Sequence, residues 1–183
     1  QRPEPITRTS LSAPYTEVEV AAIRRDVSRQ STPLRAQAGR AIVALGLGAG
    51  LDGRWNVHIT GTDIVENDGL VTITVGDPAE RLVVVRDEFA DELLDLAAQA
   101  GSGRLVAGST SKNAAAKAAG RVVIDQGHIS LSAKRLRSSW LLAHLANRTP
   151  LTALLQAAGL RSFASLSDLV PLLHNAGDPA EFL

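Results

Sequence analysis

The stretch "LSAKRLRSSWLLAHLANRTPLTALLQAAGL", residues 131–160, decides how the rest of the chain is read. Ser132 is a suitable N-cap, and Leu136, Trp140 and Ala143 recur behind it at helical spacing. A second helix follows, with Thr149 as its cap, Pro150 at its first position and Gly159 as its stop. The first of these helices opens on Lys134, Arg135 and Arg137, at the end where unpaired backbone N–H groups already carry positive partial charge. Each such cation costs roughly 0.3–1 kcal/mol at an exposed end. One reading is a phosphate site built from these side chains and the helix N–H groups, with Ser138 and Ser139 as further donors. The other is a solvated helix start, with Arg137 paired to an acid elsewhere and the two serines bonded to the preceding turn.

The charge distribution around this stretch is uneven. The net charge is zero, yet residues 51–100 carry a balance of −8 and residues 101–150 a balance of +7. Such asymmetry bears on partners more than the total does, although an acidic and a basic segment can also pack on each other. Lys112, Lys117 and Arg121 stand at spacings of five and four on the alanine-rich "SKNAAAKAAGRVVI" (111–124), read as a helix over 111–123. They share one broad face, able to track a duplex backbone or to form a polar exterior.

Upstream, residues 1–14 hold three prolines and read as a linker or arm, leaving residues 15–183 as the domain. "TEVE" at Thr16 is a capping box that opens a helix over 17–29. Pro33 opens a second helix, which ends among the glycines of "GLGAGLDG" (46–53). No strand precedes those glycines and no Lys-Ser/Thr follows, so they read as a tight exit from a buried helix. β-Branched segments at 56–60, 70–75 and 81–85 form a small antiparallel sheet. Helices resume over 87–100, and a second capping box, Ser165 with Asp168, opens one over 165–173. The class is mainly α with a small antiparallel β-sheet (α+β).

Composition excludes several functions. Cysteine is absent, so there is no disulfide framework, thiolate nucleophile or zinc–cysteine site. His58, His128, His144 and His174 are scattered without ligand spacing, so neither metal nor other cofactor is expected. Trp55 and Trp140 read as core anchors. No apolar run approaches the roughly 18 residues of a membrane span, and no signal peptide is visible; the expectation is a cytoplasmic domain away from membranes. With Gln1 first and no methionine, the chain reads as the C-terminal part of a longer protein.

In order and pattern the chain resembles the catalytic domain of the tyrosine recombinases, the phage-integrase family. "ALGLGAGLDGRWNVHITGTDIV" (44–65) is similar to the family's first box, "GLVTITVGDPAERLVVVRDEFADEL" (69–93) to its hairpin and following helix, and residues 131–160 to its second box. The resemblance implies a phosphate clamp of two arginines and a His or Lys, a hairpin lysine as general acid, and a C-terminal tyrosine nucleophile. Of these, Lys134 and Arg137 match the His/Lys-x-x-Arg pattern. The first-box arginine falls at Asp52, with Arg54 a possible substitute. The hairpin offers Asp77 and Glu80 but no lysine, the late His or Trp falls at Leu160, and the nucleophile falls near Leu169. The sole tyrosine is Tyr15, at the other end of the chain.

The resemblance so amended implies a DNA-binding, catalytically inactive recombinase-like domain, accessory or regulatory in a mobile element or recombination system. Its partner is duplex DNA, contacted through Lys112, Lys117, Arg121, Lys134, Arg135, Arg137 and Ser138; a partner recombinase or a second copy is a further possible partner. Two rivals stand beside it. One is a protein-interaction module on a retired recombinase fold; the other is an active integrase with a displaced nucleophile.

Overall fold

The computed structural model describes residues 11–76, 80–106, 110–111 and 113–173. Helix α1 (Glu17–Val27) begins at Thr16, whose hydroxyl accepts from the Glu19 N–H while the Glu19 carboxylate accepts from the Thr16 N–H, the reciprocal cap expected from "TEVE". Helix α2 (Pro33–Val43) is capped by Thr32 and carries proline in its first turn.

Helix α2 widens into a π-turn over Ala44–Gly48 whose residues are all buried, so the helical run ends among the glycines, as expected. The glycines serve close approach: a Cβ on Gly46 would lie 2.6 Å from Leu136 Cβ, and one on Gly50 would lie 2.2 Å from Trp140 Cε3. Gly50 also has φ +65°, which L side chains rarely adopt. The α2 exit is therefore pressed against α6 (Ala133–Ala146), with Leu136, Trp140 and Leu141 completing the shared core.

The first strand lies elsewhere than the sequence suggests. Residues 53–56 instead form the short helix α3 (Gly53–Asn56), because the Asp52 carboxylate accepts the Arg54 N–H and nucleates a turn. Thr60 and Asp63 then cap a 3₁₀ turn, and the sheet begins at β1 (Ile64–Asn67), followed by β2 (Leu70–Val75) and β3 (Arg81–Val84). The order is β1-β2-β3, antiparallel throughout. Ile73 pairs with Ile64 and Val83 on the buried face, while Thr72 pairs with Val65 and Val84 on the outer face. Residues 103–105 run extended beside Ile59 and Thr60: the Leu105 N–H donates to the Ile59 carbonyl at 3.1 Å.

The remaining helices are α4 (Ala90–Ala100), entered through a 3₁₀ turn at Asp87–Phe89, α5 (Ala114–Gly120), α6, and α7 (Leu151–Ala158). Helix α5 is shorter than the expected 111–123. Pro150 stands at the α7 cap position, and Thr149 does not cap; its hydroxyl is taken by His144 Nδ1 at 2.9 Å. Gly159 ends α7 in the left-handed conformation, as expected. The helix expected over 165–173 is replaced by two 3₁₀ turns, Phe163–Leu166 and Val170–Leu173. The Asp168 carboxylate, expected in the capping box, accepts the Leu11 N–H.

One long-range tie holds α1 to the segment after α5. The Gln30 side-chain amide donates to the Val123 carbonyl at 2.8 Å and accepts the Val123 N–H at 2.9 Å. The buried Asp26 carboxylate accepts the Asp125 N–H at 3.0 Å. Among the described residues no helix is long and apolar enough to cross a membrane.

Candidate nucleic-acid interface

The exit of α2, the first turns of α6 and the end of α7 enclose a cavity of about 270 Å³. Asp52, Lys134, Arg137, Ser138, Leu160 and Ser165 line it, together with Leu11 and Ser12 from the N-terminal segment. The fold thus gathers four positions singled out by the sequence resemblance, Asp52, Lys134, Arg137 and Leu160, around one space. Leu169, where the resemblance puts the nucleophile, is apolar and 1% exposed.

Arg137 is the centre of this cavity. Its two terminal nitrogens donate to the carbonyls of Gly50 at 2.5 Å and Ala158 at 2.6 Å. Burial pushes the guanidinium down from its ordinary pKa, and the Asp52 carboxylate opposes that shift. Of the two alternatives for Arg137, neither is met in simple form: among the described residues it makes no ion pair, and it serves first as a clamp between two backbone turns. Ser138 is buried and returns its hydroxyl to the Lys134 carbonyl at 3.1 Å. Ser139 likewise donates to the Arg135 carbonyl at 3.0 Å.

Arg135, placed with the phosphate ligands by sequence, is engaged on the opposite flank. It donates to both carboxylate oxygens of Glu19, at 3.0 and 3.1 Å, and to the carbonyls of Ala13 and Pro14. Its guanidinium also lies 3.8 Å above the Tyr15 ring centre. For Arg135 the carboxylate-paired arrangement is the one observed. Tyr15 is 6% exposed; its hydroxyl donates to the Ser130 carbonyl and accepts the Ser132 N–H. Burial, the leading cause, raises its pKa above the ordinary phenol value.

A larger groove of about 500 Å³ opens beside the cavity, between α3, α5 and the start of α6. Ala115, Ala116, Ala119 and Gly120 form its α5 wall, and Arg54 and Lys134 stand on its rim. Both cations are exposed. Arg54 therefore belongs to this groove, and does not share the Arg137 cavity as a substitute for the first-box arginine. Lys117 and Arg121 are exposed, but by helical phase Lys117 leaves α5 on the side away from the groove-lining alanines. Lys112 and Asp77 lie outside the described residues, as does His174.

Sequence reasoning missed Arg81. It occupies an inward position of β3, in the same parity as the buried Val83, and is only 9% exposed. Its Nε donates to the Ala157 carbonyl at 2.9 Å, and its guanidinium lies 4.8 Å from the Trp55 ring centre. Burial lowers its pKa, the nearby Arg137 lowers it further, and Asp52 opposes both. The β3 alternation carried the signal, since Leu82 and Val84 are exposed and Arg81 falls on the other face. Trp55 is correspondingly half-buried between Arg81 and Arg54, a cation-stacked ring at the edge of the core, whereas Trp140 is a true core anchor. His144 shares that core with Trp140; its Nδ1 is satisfied by Thr149, while its Nε2 is buried without a hydrogen-bond partner among the described residues.

An α2 exit packed on α6, a three-stranded antiparallel sheet, and a cavity holding a Lys-x-x-Arg pair define the tyrosine-recombinase catalytic-domain fold. The solved structures agree. The chain is similar to XerH site-specific recombinase bound to palindromic difH substrate in a post-cleavage complex, with TM-score 0.70 and 16% identity, covering 91% of this chain and 51% of that one. It is similar to XerH in a pre-cleavage complex with difH, with TM-score 0.67 and 14% identity, covering 94% and 54%. XerA recombinase gives TM-score 0.62 and 19% identity, covering 94% and 63%. The chain thus spans between half and two thirds of the length of these recombinases. No family model matches the sequence, and no curated protein matches it.

Proposed function

We propose that this domain binds duplex DNA without cutting it and acts as an accessory or regulatory component of a recombination system, such as that of a mobile element. The observation that carries the reading is a recombinase catalytic-domain fold in which the buried, apolar Leu169 stands where the resemblance puts the nucleophile. Without a hydroxyl there, no covalent phosphotyrosyl intermediate forms. Tyr15 offers no replacement, since its hydroxyl is bonded on both sides and burial disfavours its ionised form. Asp52 further replaces a phosphate-binding cation with an anion.

What remains for a nucleic acid is the rim of the 500 Å³ groove, where Arg54 and Lys134 are exposed and face a wall of small side chains. Contacts of this kind neutralise backbone phosphates and carry no sequence information. A protein-interaction role, with a partner recombinase or a second copy on this face, is the competing reading. One observation favours it: Arg137 already satisfies two carbonyls of its own chain.

Duplex affinity measured between about 50 and 200 mM salt separates the two. DNA binding predicts a steep fall, and Arg54→Ala or Lys134→Ala should each flatten the log–log slope by about 1. Salt-indifferent or absent duplex binding overturns the DNA reading in favour of a protein partner. A covalent adduct on a suicide substrate would overturn the claim that the domain does not cut.

A further inference from the structure

The chain ahead of α1 lies across the cavity just described. Leu11 and Ser12 line the same space as Asp52, Lys134 and Arg137. Two anchors hold this segment, and they differ in kind. The inner anchor is Tyr15, buried beneath the Arg135 guanidinium, with its N–H donated to Ser139 Oγ at 2.8 Å and its hydroxyl bridging Ser130 and Ser132. The outer anchor includes the hydrogen bond from the Leu11 N–H to Asp168 Oδ2 at 3.0 Å. Between them, Arg135 holds the Ala13 and Pro14 carbonyls.

We infer that residues 11–14 form a strap across the approach to Arg137 and Lys134, latched at Asp168, which must lift before a phosphodiester strand can reach that cavity. The assignment rests on the DNA-binding reading for its consequence, while the strap itself is tested without DNA. The latch residue is the sequence neighbour of Leu169, where the resemblance puts the nucleophile. "LSAP" carries no charge, so it lies over the cavity without neutralising Arg137, and an anionic strand entering the cavity competes directly with it. Pro14 has no N–H to donate, and here the segment is held through the carbonyls of Ala13 and Pro14. Lifting the strap then costs the Leu11–Asp168 bond and the Arg135–Ala13 bond while Tyr15 stays seated.

The absence of native cysteine makes a site-directed thiol unambiguous. Ser165→Cys places the sole thiol on the cavity wall of the full chain. Its maleimide labelling rate is measured alone, with Leu11→Pro, which removes the donor of the latch, and with Asp168→Ala, which removes the acceptor. Both variants should label roughly tenfold faster, as expected when a local opening equilibrium loses a hydrogen bond to a charged group, and both should bind a short random-sequence duplex more tightly. Equal labelling in all three chains, or faster labelling in one variant alone, overturns the strap. Faster labelling in both without salt-dependent duplex binding supports the strap and overturns the DNA reading instead.

Discussion

Arg81 and Arg137 donate to successive carbonyls at the end of α7, Arg81 to Ala157 and Arg137 to Ala158. One guanidinium comes from β3 and the other from α6, so a strand and a helix far apart in sequence are tied to one helix terminus. Cations are favoured there, since the carbonyl end of a helix carries negative partial charge. The cost is the approach of two like charges, visible in the lowering of the Arg81 pKa by Arg137, with Asp52 opposing it.

Arg137→Met should therefore act first on stability. It removes two charge-assisted hydrogen bonds and leaves the carbonyls of Gly50 and Ala158 to find other partners, a loss of about 2–4 kcal/mol. Urea unfolding would read this as a lower midpoint at constant slope. The double variant with Arg81→Met should lose more than the sum of the single changes, because each single change already relieves the like-charge repulsion, which can be relieved only once. Strict additivity would mean the two guanidinia do not interact.

Arg135 and Lys134 are adjacent in sequence, but their variants should behave oppositely. Arg135→Ala removes the Glu19 pair and the stack on Tyr15, lowering stability by about 1–3 kcal/mol with little change in the salt slope of duplex binding. Lys134→Ala should leave the melting temperature nearly unchanged and flatten that slope. Lysine is not expected to rescue position 135, since it lacks the planar fork that meets both Glu19 oxygens.

Acid should weaken the domain through His144. Burial first and the Arg86 charge second hold its pKa below the ordinary 6.5. The folded chain thus keeps the ring neutral while the unfolded chain takes up a proton, so stability falls as pH drops from about 6.5 towards the depressed folded value. A His144→Gln variant should lose that part of the slope. Unfolding free energies measured from neutral pH downward would reject the assignment if wild type and variant ran parallel.

Asn56 is fully buried, and neither atom of its amide has a hydrogen-bond partner among the described residues. Burying such a group costs about 1–3 kcal/mol, so Asn56→Leu should raise stability, in contrast to most core changes. Thermal melting settles the sign.

Much of the architecture was legible in the chain because it depends on local signals. Thr16 with Glu19, Pro33, Ser132 and Gly159 each mark a helix boundary with a particular hydrogen bond or backbone angle, and each stands where expected. The misreadings share a cause. "WNVHI" has β-branched character, but the Asp52 side chain captures the Arg54 N–H and turns the chain before a strand can start. Thr149 and Asp168 look like caps, yet their oxygens meet other partners, Thr149 the His144 ring five residues back and Asp168 the Leu11 N–H from the far end of the chain. At the site, Lys134 and Arg137 were found from spacing alone, whereas the environment of Arg137 depends on backbone carbonyls, which no sequence pattern displays. Arg135 differs from Arg137 only in helical phase, and that phase directs one to Glu19 and the other to α7.

The Gln30 side chain pairs with Val123 as one peptide group pairs with another in a ladder, across 93 residues of sequence. A ladder rung made by a side chain exists only while α1 is folded and docked. Amide hydrogen exchange at Val123 and Asp125 should therefore follow the release of α1, making these two positions reporters of an early step in the domain's disassembly even though they belong to a different part of the chain.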